Sequence, residues 1–435
     1  MISSSSVEQL LASHPVGVLP VRPREVLAWA FFDFANSGYT TVVITAVFSA
    51  FFVGVIADGK PWATFAWTAA LSVSYAVNAL AGPLIGAWAD LRARKRAALL
   101  ASSLVCVSGT AALSLCGPGD VELALAILII SNIGFGLGEN LIAAFLPELA
   151  KPQAMGRISG WGWSLGYLGG VLVLGICLWW VTSSRLPAAD SVPPTLLITA
   201  AAFVLTALPT FLLLRERARP QPISARGLWR DVVGRVVAAL AGSAALLDLR
   251  RFLVCIVCFQ AGVQTVIAIA AIYTTQALGF SAQESIVLIL LVNLTAAVGA
   301  FGFGSLQDRL GHRRTLALTL IGWLLAIGVF WAADSRPWVW VGANLAGLCL
   351  GASQSAGRAL VGYLCPRDRE AEIFGLWGLA VKVASILGPL SYGAVSWLSG
   401  GDHRLALLTT AGAFVAGLLL LMRVDVERGR AAAVG

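Results

Sequence analysis

Twelve long apolar runs constrain the fold of this chain more than any other feature of its sequence. An α-helix needs ~20 mostly apolar residues to cross a bilayer. Runs of that kind span 28–56, 64–89, 97–116, 123–145, 159–181, 194–214, 251–277, 284–306, 315–333, 337–360, 372–398 and 404–422. Only 12% of the residues are charged, whereas soluble domains average about 25%. The sequence therefore predicts an all-α polytopic membrane protein with twelve transmembrane helices.

The positive charges predict the orientation of these helices. All but five of the 30 lysines and arginines lie in the two tails, at the edge of the tenth run or in gaps after even-numbered runs. The exceptions are Lys60, Arg185, Arg336 and Arg404 in other gaps, and Lys382 inside the eleventh run. Because Lys and Arg concentrate on the cytoplasmic side, we expect both termini in the cytoplasm of a cell whose inner membrane holds the protein. The net charge of +8 is thus interpreted as a topology signal, which excludes nucleic-acid binding.

The longest gap divides the runs six and six. We predict cytoplasmic tails at 1–27 and 423–435, six-helix bundles at 28–214 and 251–422, and a linker at 215–250. The linker places arginines around an apolar stretch, a pattern that predicts an amphipathic helix on the anionic lipids of the cytoplasmic leaflet.

A short motif follows the second helix of each half. The first copy is Gly86-Ala-Trp-Ala-Asp90-Leu-Arg92-Ala-Arg94-Lys95-Arg96, and the second is Gly304-Ser-Leu-Gln-Asp308-Arg309-Leu-Gly311-His-Arg313-Arg314. Parallel repeats of this kind are typical of transporters built from two related bundles.

The repeated motif resembles the signature loop of the major facilitator superfamily. In the first copy, Leu91 stands where that family usually has a base and Ala93 where it usually has glycine. The resemblance implies a major facilitator fold and a cytoplasmic gate that holds the bundles together in one state. The implied gate residues are Gly86, Asp90, Arg94, Lys95, Gly304, Asp308, Arg309 and Arg313. The alternative is that these charges only set the topology.

Longer blocks are similar to those of the bacterial UMF1 and fungal Atg22-like vacuole effluxer group. These blocks are Trp29–Tyr39, Leu146–Ala150, Gly156–Gly170, Gln354–Arg358, Arg369–Gly375 and Lys382–Pro389. Eukaryotic members of the group are regarded as exporters of amino acids from the vacuole. The resemblance therefore implies a transporter, with amino acids as a lead on the solute.

Apart from charged residues that begin a run, four charged residues lie inside the predicted helices, where a charge costs ~2.5–3.5 kcal/mol on insertion scales. Lys382 is interpreted as a cation that faces a carboxylate or an anionic group of the substrate; the alternative is a structural ion pair with Glu139 or Asp33. Glu139 is interpreted either as a proton carrier or as the ion-pair partner of Arg358 or Lys382. Asp33 and Arg358 lie near the cytoplasmic ends of their helices, and we expect them to act in gating. The alternatives are a helix-start anion for Asp33 and direct substrate binding for Arg358.

Polar amides in the same helices are predicted to line the substrate site. Gln260 and Gln264 are four residues apart and therefore share one helix face. The full set is Asn36, Asn140, Gln260, Gln264, Asn293 and Gln354.

Motifs for several other classes of protein are missing from the sequence, and this narrows its function. The sequence has no G-x-x-x-x-G-K-[ST] motif for ATP, and its three histidines lie in tails or loops, so we predict no metal, no cofactor and no enzymatic activity. We predict a monomeric secondary active transporter that moves a small polar or zwitterionic, amino-acid-like solute by alternating access, with export and proton coupling as its expected mode. The alternative is an exporter or flippase of an amphiphilic lipid or a drug-like substrate.

Overall fold

The computed structural model describes residues 9–12, 20–218, 220, 228–241, 246–272, 282–333, 335–400 and 402–434, and twelve long helices form it. The first, α1 (Pro23–Tyr39), continues to Ile56 through π-helical turns at Thr40–Ala46 and Phe52–Ile56 and a short helix, Phe48–Phe51. The others are α2 (Ala63–Arg92), α3 (Lys95–Leu113), α4 (Val121–Ala143), α5 (Met155–Ser184), α6 (Ala188–Leu213), α7 (Leu247–Ile272), α8 (Ala282–Leu310), α9 (His312–Ala332), α10 (Arg336–Leu364), α11 (Glu370–Leu398) and α12 (His403–Met422).

Eleven helices in the described part of the chain are long and apolar enough to cross a membrane. The remaining long helix, α10, is longer than most but carries Asn344, Gln354 and Arg358. Most of its side chains are buried against other helices, so few of them face lipid and polar residues are tolerated there. Its length of 29 residues still exceeds what a bilayer requires.

The two halves of the chain pack in the same pattern. In the first half α1 packs on α5 and α6, α3 on α4 and α6, and α2 on α4. In the second half α7 packs on α11 and α12, α9 on α10 and α12, and α8 on α10. Each pair in one bundle thus has its counterpart six helices later, as expected for parallel repeats.

The bundles meet along α2 with α11 and along α5 with α8. Glycines allow these backbones to approach. A Cβ atom at Gly375 would lie 2.6 Å from the Cα of Pro83, and one at Gly304 would lie 2.6 Å from the carbonyl oxygen of Gly156. Small residues at helix crossings are a common device of membrane proteins, and here they bring the two bundles into backbone contact.

The first helix begins earlier than predicted. It starts at Pro23, since proline is favoured in the first turn of a helix, and the Glu25 carboxylate accepts a bond of 3.3 Å from the Arg22 amide. Residues 9–12 also pair with the α4–α5 connection, where the amide of Ala12 donates to Leu149. The predicted tail of 1–27 is thus shorter and partly docked; its residues 1–8 and 13–19 lie outside the described residues.

A helix occupies part of the predicted linker. We call Leu228–Ala241 the linker helix; it packs on the side of α2, where Val232 is buried against Ala87 and Leu91. This contact gives a physical reason for an apolar residue at position 91. The linker residues 219, 221–227 and 242–245, and residues 273–277 of the seventh predicted run, lie outside the described residues.

A short C-terminal helix, Val426–Val434, occupies the predicted C-terminal tail. Its Arg428 binds both oxygens of the Asp248 carboxylate at 2.7 Å, and Arg430 donates to the carbonyl of Tyr363 at 2.9 Å. The hydrogen bonds with Asp248 raise the pKa of the Arg428 guanidinium. The C-terminal helix thereby joins the start of α7, which begins at Leu247 rather than at residue 251, to the end of α10.

Candidate functional site

Both tails and the ends of the bundles that they contact lie on one face of the molecule. Lys151 in the α4–α5 connection bonds the N-terminal segment at Gln9, and Arg217 after α6 bonds Glu25 at the start of α1. Arg428 in the C-terminal helix bonds Asp248. We call this side the terminal face; the charge distribution predicts that it is cytoplasmic.

The first motif closes the terminal face between α2 and α11. Asp90 accepts hydrogen bonds from the backbone amides of Ala371 at 3.2 Å and Glu372 at 2.9 Å. These amides belong to the first turn of α11, whose unpaired N–H groups and helix dipole favour a carboxylate. Gly86 lies directly against the backbone of Ala371. The first bundle therefore caps a helix of the second.

The second motif makes the reciprocal contact between α8 and α5. Asp308 accepts from the amide of Gly156 at 3.0 Å and from that of Arg157 at 3.2 Å, in the first turn of α5. The Arg157 side chain approaches the same carboxylate at 3.6 Å. Gly304 packs against Gly156 and Gly160. Two aspartates in matching positions thus each cap a helix of the opposite bundle.

Lys95 lies beside the first aspartate in a buried charge cluster. Its side chain is 0% exposed and bonds Glu148, with Glu370 at 3.4 Å and Asp90 at 3.8 Å. Glu370 comes from the second bundle, so the cluster also joins the bundles. Sequence reasoning did not assign Glu148 or Glu370 to the gate, although both glutamates stand in the quoted family blocks.

The neighbouring arginines of the two motifs do not join these contacts. Arg94, Arg309 and Arg313 are exposed, and within the described residues none of them forms an ion pair. Arg369 is better placed, since it bonds Glu372 at the start of α11, and this hydrogen bond raises the pKa of the Arg369 guanidinium. The motif glycines, aspartates and Lys95 therefore lie at the bundle contact, and the three predicted gating arginines lie at the surface.

A tight ion pair lies deeper in the bundle interface. Arg358 donates to Asp33 at 2.6 Å and to the hydroxyl and carbonyl of Ser159 at 3.1 and 2.8 Å. Its guanidinium also lies over the rings of Trp29 and Trp163, at 4.8 and 5.2 Å. Arg358 is therefore held by two helices of the first bundle. Its partner is Asp33, a pair that the sequence analysis did not name, and not Glu139, which it did name.

A looser ion pair joins Lys382 to Glu139. The Nζ atom of Lys382 lies 3.5 Å from the Glu139 carboxylate, 5.1 Å from the ring centre of Tyr75 and 5.9 Å from that of Phe135. The Lys382 side chain is 8% exposed and that of Glu139 is 25% exposed. Of the two carboxylates proposed as its partner, Lys382 thus meets Glu139, which keeps a quarter of its side chain exposed.

Several predicted amides lie buried near these pairs. Asn140 follows Glu139, and among the described residues both polar atoms of its amide are buried without a hydrogen-bond partner. Asn36, one turn from Asp33, has an unpartnered carbonyl oxygen, and Gln260 bonds Gln354 while its own carbonyl oxygen stays unpartnered. Unpartnered buried polar atoms are costly, which favours a binding role for them.

Two predicted amides are only half-buried. Asn293 is half-buried and bonds the carbonyl of Ile289 in its own helix at 2.8 Å, and Gln264 is half-buried. Among the described residues, no three His, Cys, Asp or Glu side chains come together as a metal-binding group.

The comparisons with known proteins agree with this architecture. The family described as "Vacuole effluxer Atg22 like" matches residues 62–434. The MFS-type transporter YxiO of Bacillus subtilis is 25% identical over 414 residues, which cover 92% of this chain and 94% of that protein. Autophagy-related protein 22-1 of Penicillium rubens is 27% identical over 304 residues, or 64% of this chain and 50% of that protein. The chain thus spans about half the length of this fungal relative.

Two solved structures share the fold. The human organic anion transporter MFSD10 (TETRAN) has a TM-score of 0.72 at 18% identity, and the match covers 92% of this chain and 99% of that one. FucP, a major facilitator transporter in the outward conformation, has a TM-score of 0.72 at 14% identity, with 93% and 98% covered. The predicted major facilitator fold is confirmed; the side on which the termini lie stays a prediction.

Proposed function

The chain belongs to the Atg22-like vacuole effluxer family of major facilitator transporters, and from this premise we propose that it exports a small zwitterionic, amino-acid-like solute by alternating access. We further propose that it acts as a monomer in the cell inner membrane with the terminal face in the cytoplasm. The charge asymmetry of the sequence supports that orientation.

The observation that carries the proposal is the difference between the two deep ion pairs. Arg358 and Asp33 approach to 2.6 Å, and Ser159 occupies the other guanidinium nitrogens. Lys382 and Glu139 stand 3.5 Å apart, with a quarter of the Glu139 side chain exposed. A buried ion pair seldom adds net stability over apolar residues, and charges inside membrane helices mark substrate and ion pathways. The looser pair therefore supports a site where a solute with both charges replaces internal contacts.

The contacts at the terminal face supply the gate. Opening that face requires Asp90 and Asp308 to leave the helix starts that they cap and Lys95 to leave Glu370. A solute shifts this equilibrium only by binding one state better than the other. A zwitterion can bind one state better than the other by neutralising the deep charges of both bundles at once.

Glu139 is the proposed coupling residue, because it belongs to the loose pair and keeps accessible surface. Binding and release of its proton would alternate with pairing to Lys382. Glu122 lies near the start of the same helix and is exposed, so it serves as a matched control for the loss of a carboxylate.

Transport by purified protein in liposomes tests the proposal. Radiolabelled amino acids are assayed for counterflow exchange and for uptake driven by an imposed proton gradient. We expect at least one amino acid to exchange, Glu139→Gln to abolish gradient-driven uptake while keeping exchange at saturating solute with a higher half-saturation concentration, and Glu122→Gln to keep both. Exchange of no amino acid would overturn the zwitterion proposal, and gradient-driven uptake by Glu139→Gln at the wild-type rate would remove Glu139 from coupling.

A further inference from the structure

Both deep cations come from the second bundle, and both lie in receptors that the first bundle builds. Lys382 of α11 lies against Tyr75 of α2 and against Phe135 and Glu139 of α4. Arg358 of α10 lies in the same way against two tryptophans and one aspartate of α1 and α5. Each receptor combines two aromatic rings with one carboxylate, a combination that binds ammonium and guanidinium groups well.

The receptor around Lys382 does not depend on Lys382 for its shape. Phe135 stacks on Tyr39 with ring centres 5.1 Å apart, and the Tyr39 hydroxyl lies 2.8 Å from that of Ser131. Tyr39, Ser131 and Phe135 all belong to the first bundle, so the ring keeps its place when the bundles part. We call Tyr75, Phe135 and Glu139 the amine box.

The two receptors differ in how firmly they hold their cation. A Cβ atom at Gly162 would lie 2.6 Å from a terminal nitrogen of Arg358, and three bonds of 2.6 to 3.1 Å fix that guanidinium. Within the part of the chain that the structure describes, Lys382 makes one hydrogen bond, at 3.5 Å. The amine box is therefore the receptor from which a cation is readily displaced.

We propose that the amine box is the receptor for the ammonium group of the solute, and that Lys382 fills it as an internal substitute when no solute is bound. The assignment of a solute rests on the function proposed above. When a solute ammonium enters the box, Lys382 is displaced and pairs with the solute carboxylate. Asn140, which follows Glu139 and has no partner for its amide, is available to the same carboxylate.

This exchange defines the substrate class. A bare amine would fill the box but leave Lys382 unpaired beside a second cation, and a bare carboxylate would leave Glu139 without a cation. Leaving one buried charge unpaired is strongly unfavourable. The solute is therefore a compound with one free ammonium and one carboxylate, such as an α-amino acid, and neither its decarboxylated nor its deaminated analogue replaces it.

Chemical rescue of the lysine tests the amine box without transport. Lys382→Ala removes the atoms that n-propylammonium contains. We expect n-propylammonium to raise the unfolding temperature of purified Lys382→Ala with increasing concentration, to leave wild type and Lys60→Ala unchanged, and to give a much smaller shift in the double variant Lys382→Ala with Glu139→Gln, which keeps only the two rings of the box. Lys60 is an exposed loop lysine, and neutral 1-propanol controls for the propyl chain. In Lys382→Ala with Phe135→Leu we expect about tenfold weaker rescue.

A second variant, Lys382→Met, provides the test if Lys382→Ala does not fold. Lys382→Met keeps the stem of the side chain and leaves only the ammonium position open, so the ammonium ion is its probe. The proposal is overturned if neither variant responds to its ammonium probe, or if 1-propanol or wild type gives an equal shift.

The result separates this inference from the proposed function. If the ammonium probes rescue the variants but no amino acid is transported, the amine box is supported and the proposed function is refuted. Amino-acid exchange without rescue would retain the function and remove the box.

Discussion

Closure of the terminal face depends on the glycine of the second motif. Gly304 of α8 lies where a Cβ atom would be 2.6 Å from the carbonyl oxygen of Gly156 and 3.1 Å from the Cα of Gly160 in α5. Both neighbours are backbone atoms and do not move aside as a side chain does. Gly304→Ala therefore forces α5 and α8 apart at the terminal face.

The structure sets the size of the effect. Restoring an ordinary contact near 3.4 Å requires a displacement of Gly156 of about 0.8 Å. The amide of the same residue donates to Asp308 at 3.0 Å, and that of Arg157 at 3.2 Å, so this displacement, shared between the two helices, lengthens and weakens both bonds. Each bond to a charged group contributes about 1.5–3 kcal/mol. Partial loss of the two destabilises the closed state by about 2–4 kcal/mol, which lowers its population relative to the open state roughly 30- to 700-fold.

Distances between spin labels measure this shift. Gln153 in the first bundle and Arg313 in the second are exposed near this contact, and cysteines placed there carry the labels. The half-buried native Cys258 is replaced by alanine, because the other six cysteines are buried. We expect wild type to show one short distance and Gly304→Ala to show a longer one.

Gly302→Ala provides the matched control. Gly302 lies two residues earlier in α8, and a Cβ atom there meets no atom within 4 Å. This variant should keep the wild-type distance, with a gain in helix stability of about 0.5–1 kcal/mol. The same distance distribution in Gly304→Ala and wild type would refute the reasoning.

Three further predictions concern other parts of the terminal face. Ala93 has a φ of 51°, a left-handed conformation that costs roughly 1–2 kcal/mol without glycine, so Ala93→Gly should raise the unfolding temperature measured by differential scanning fluorimetry. Lys95→Met leaves Glu148 and its neighbouring carboxylates without their buried cation, and we expect a loss of about 3–5 kcal/mol in unfolding free energy; a loss below 1 kcal/mol in chemical denaturation would contradict the cluster. Arg428→Ala removes both bonds to Asp248, so amide exchange in the C-terminal helix should accelerate while exchange in the middle of α3 stays unchanged.

Much of the fold is predictable from apolar periodicity and charge placement. Each predicted run falls on a helix of the structure, because a lipid-facing surface imposes length and apolarity on the sequence. Helix α10 is the exception in composition. Because most of its residues are buried among other helices, it does not need the apolarity of a lipid-facing helix. The ends of the helices were less predictable. Pro23 is the first residue of α1, yet it lies in a polar stretch that is typical of a tail.

The contacts between residues of the candidate site were harder to predict from the sequence. The Lys95 cluster joins residues as far apart as position 370, so no local pattern reports it. The first motif likewise contains several adjacent basic residues, and its sequence does not indicate which of them is buried. The structure buries Lys95 and leaves Arg94 exposed, because successive residues of a turn and helix start point in different directions.

The distribution of the deep charges has a consequence for how the halves recognise each other. Asp33 and Glu139 belong to the first half, and Arg358 and Lys382 to the second. Two copies of the first half, brought together face to face, would oppose acid to acid, and two copies of the second would oppose base to base. Such mismatched dimers carry a repulsive penalty that the mixed pair escapes. The two halves, which share one packing pattern, are thus disfavoured from self-association, and co-expressed fragments should assemble preferentially as heterodimers.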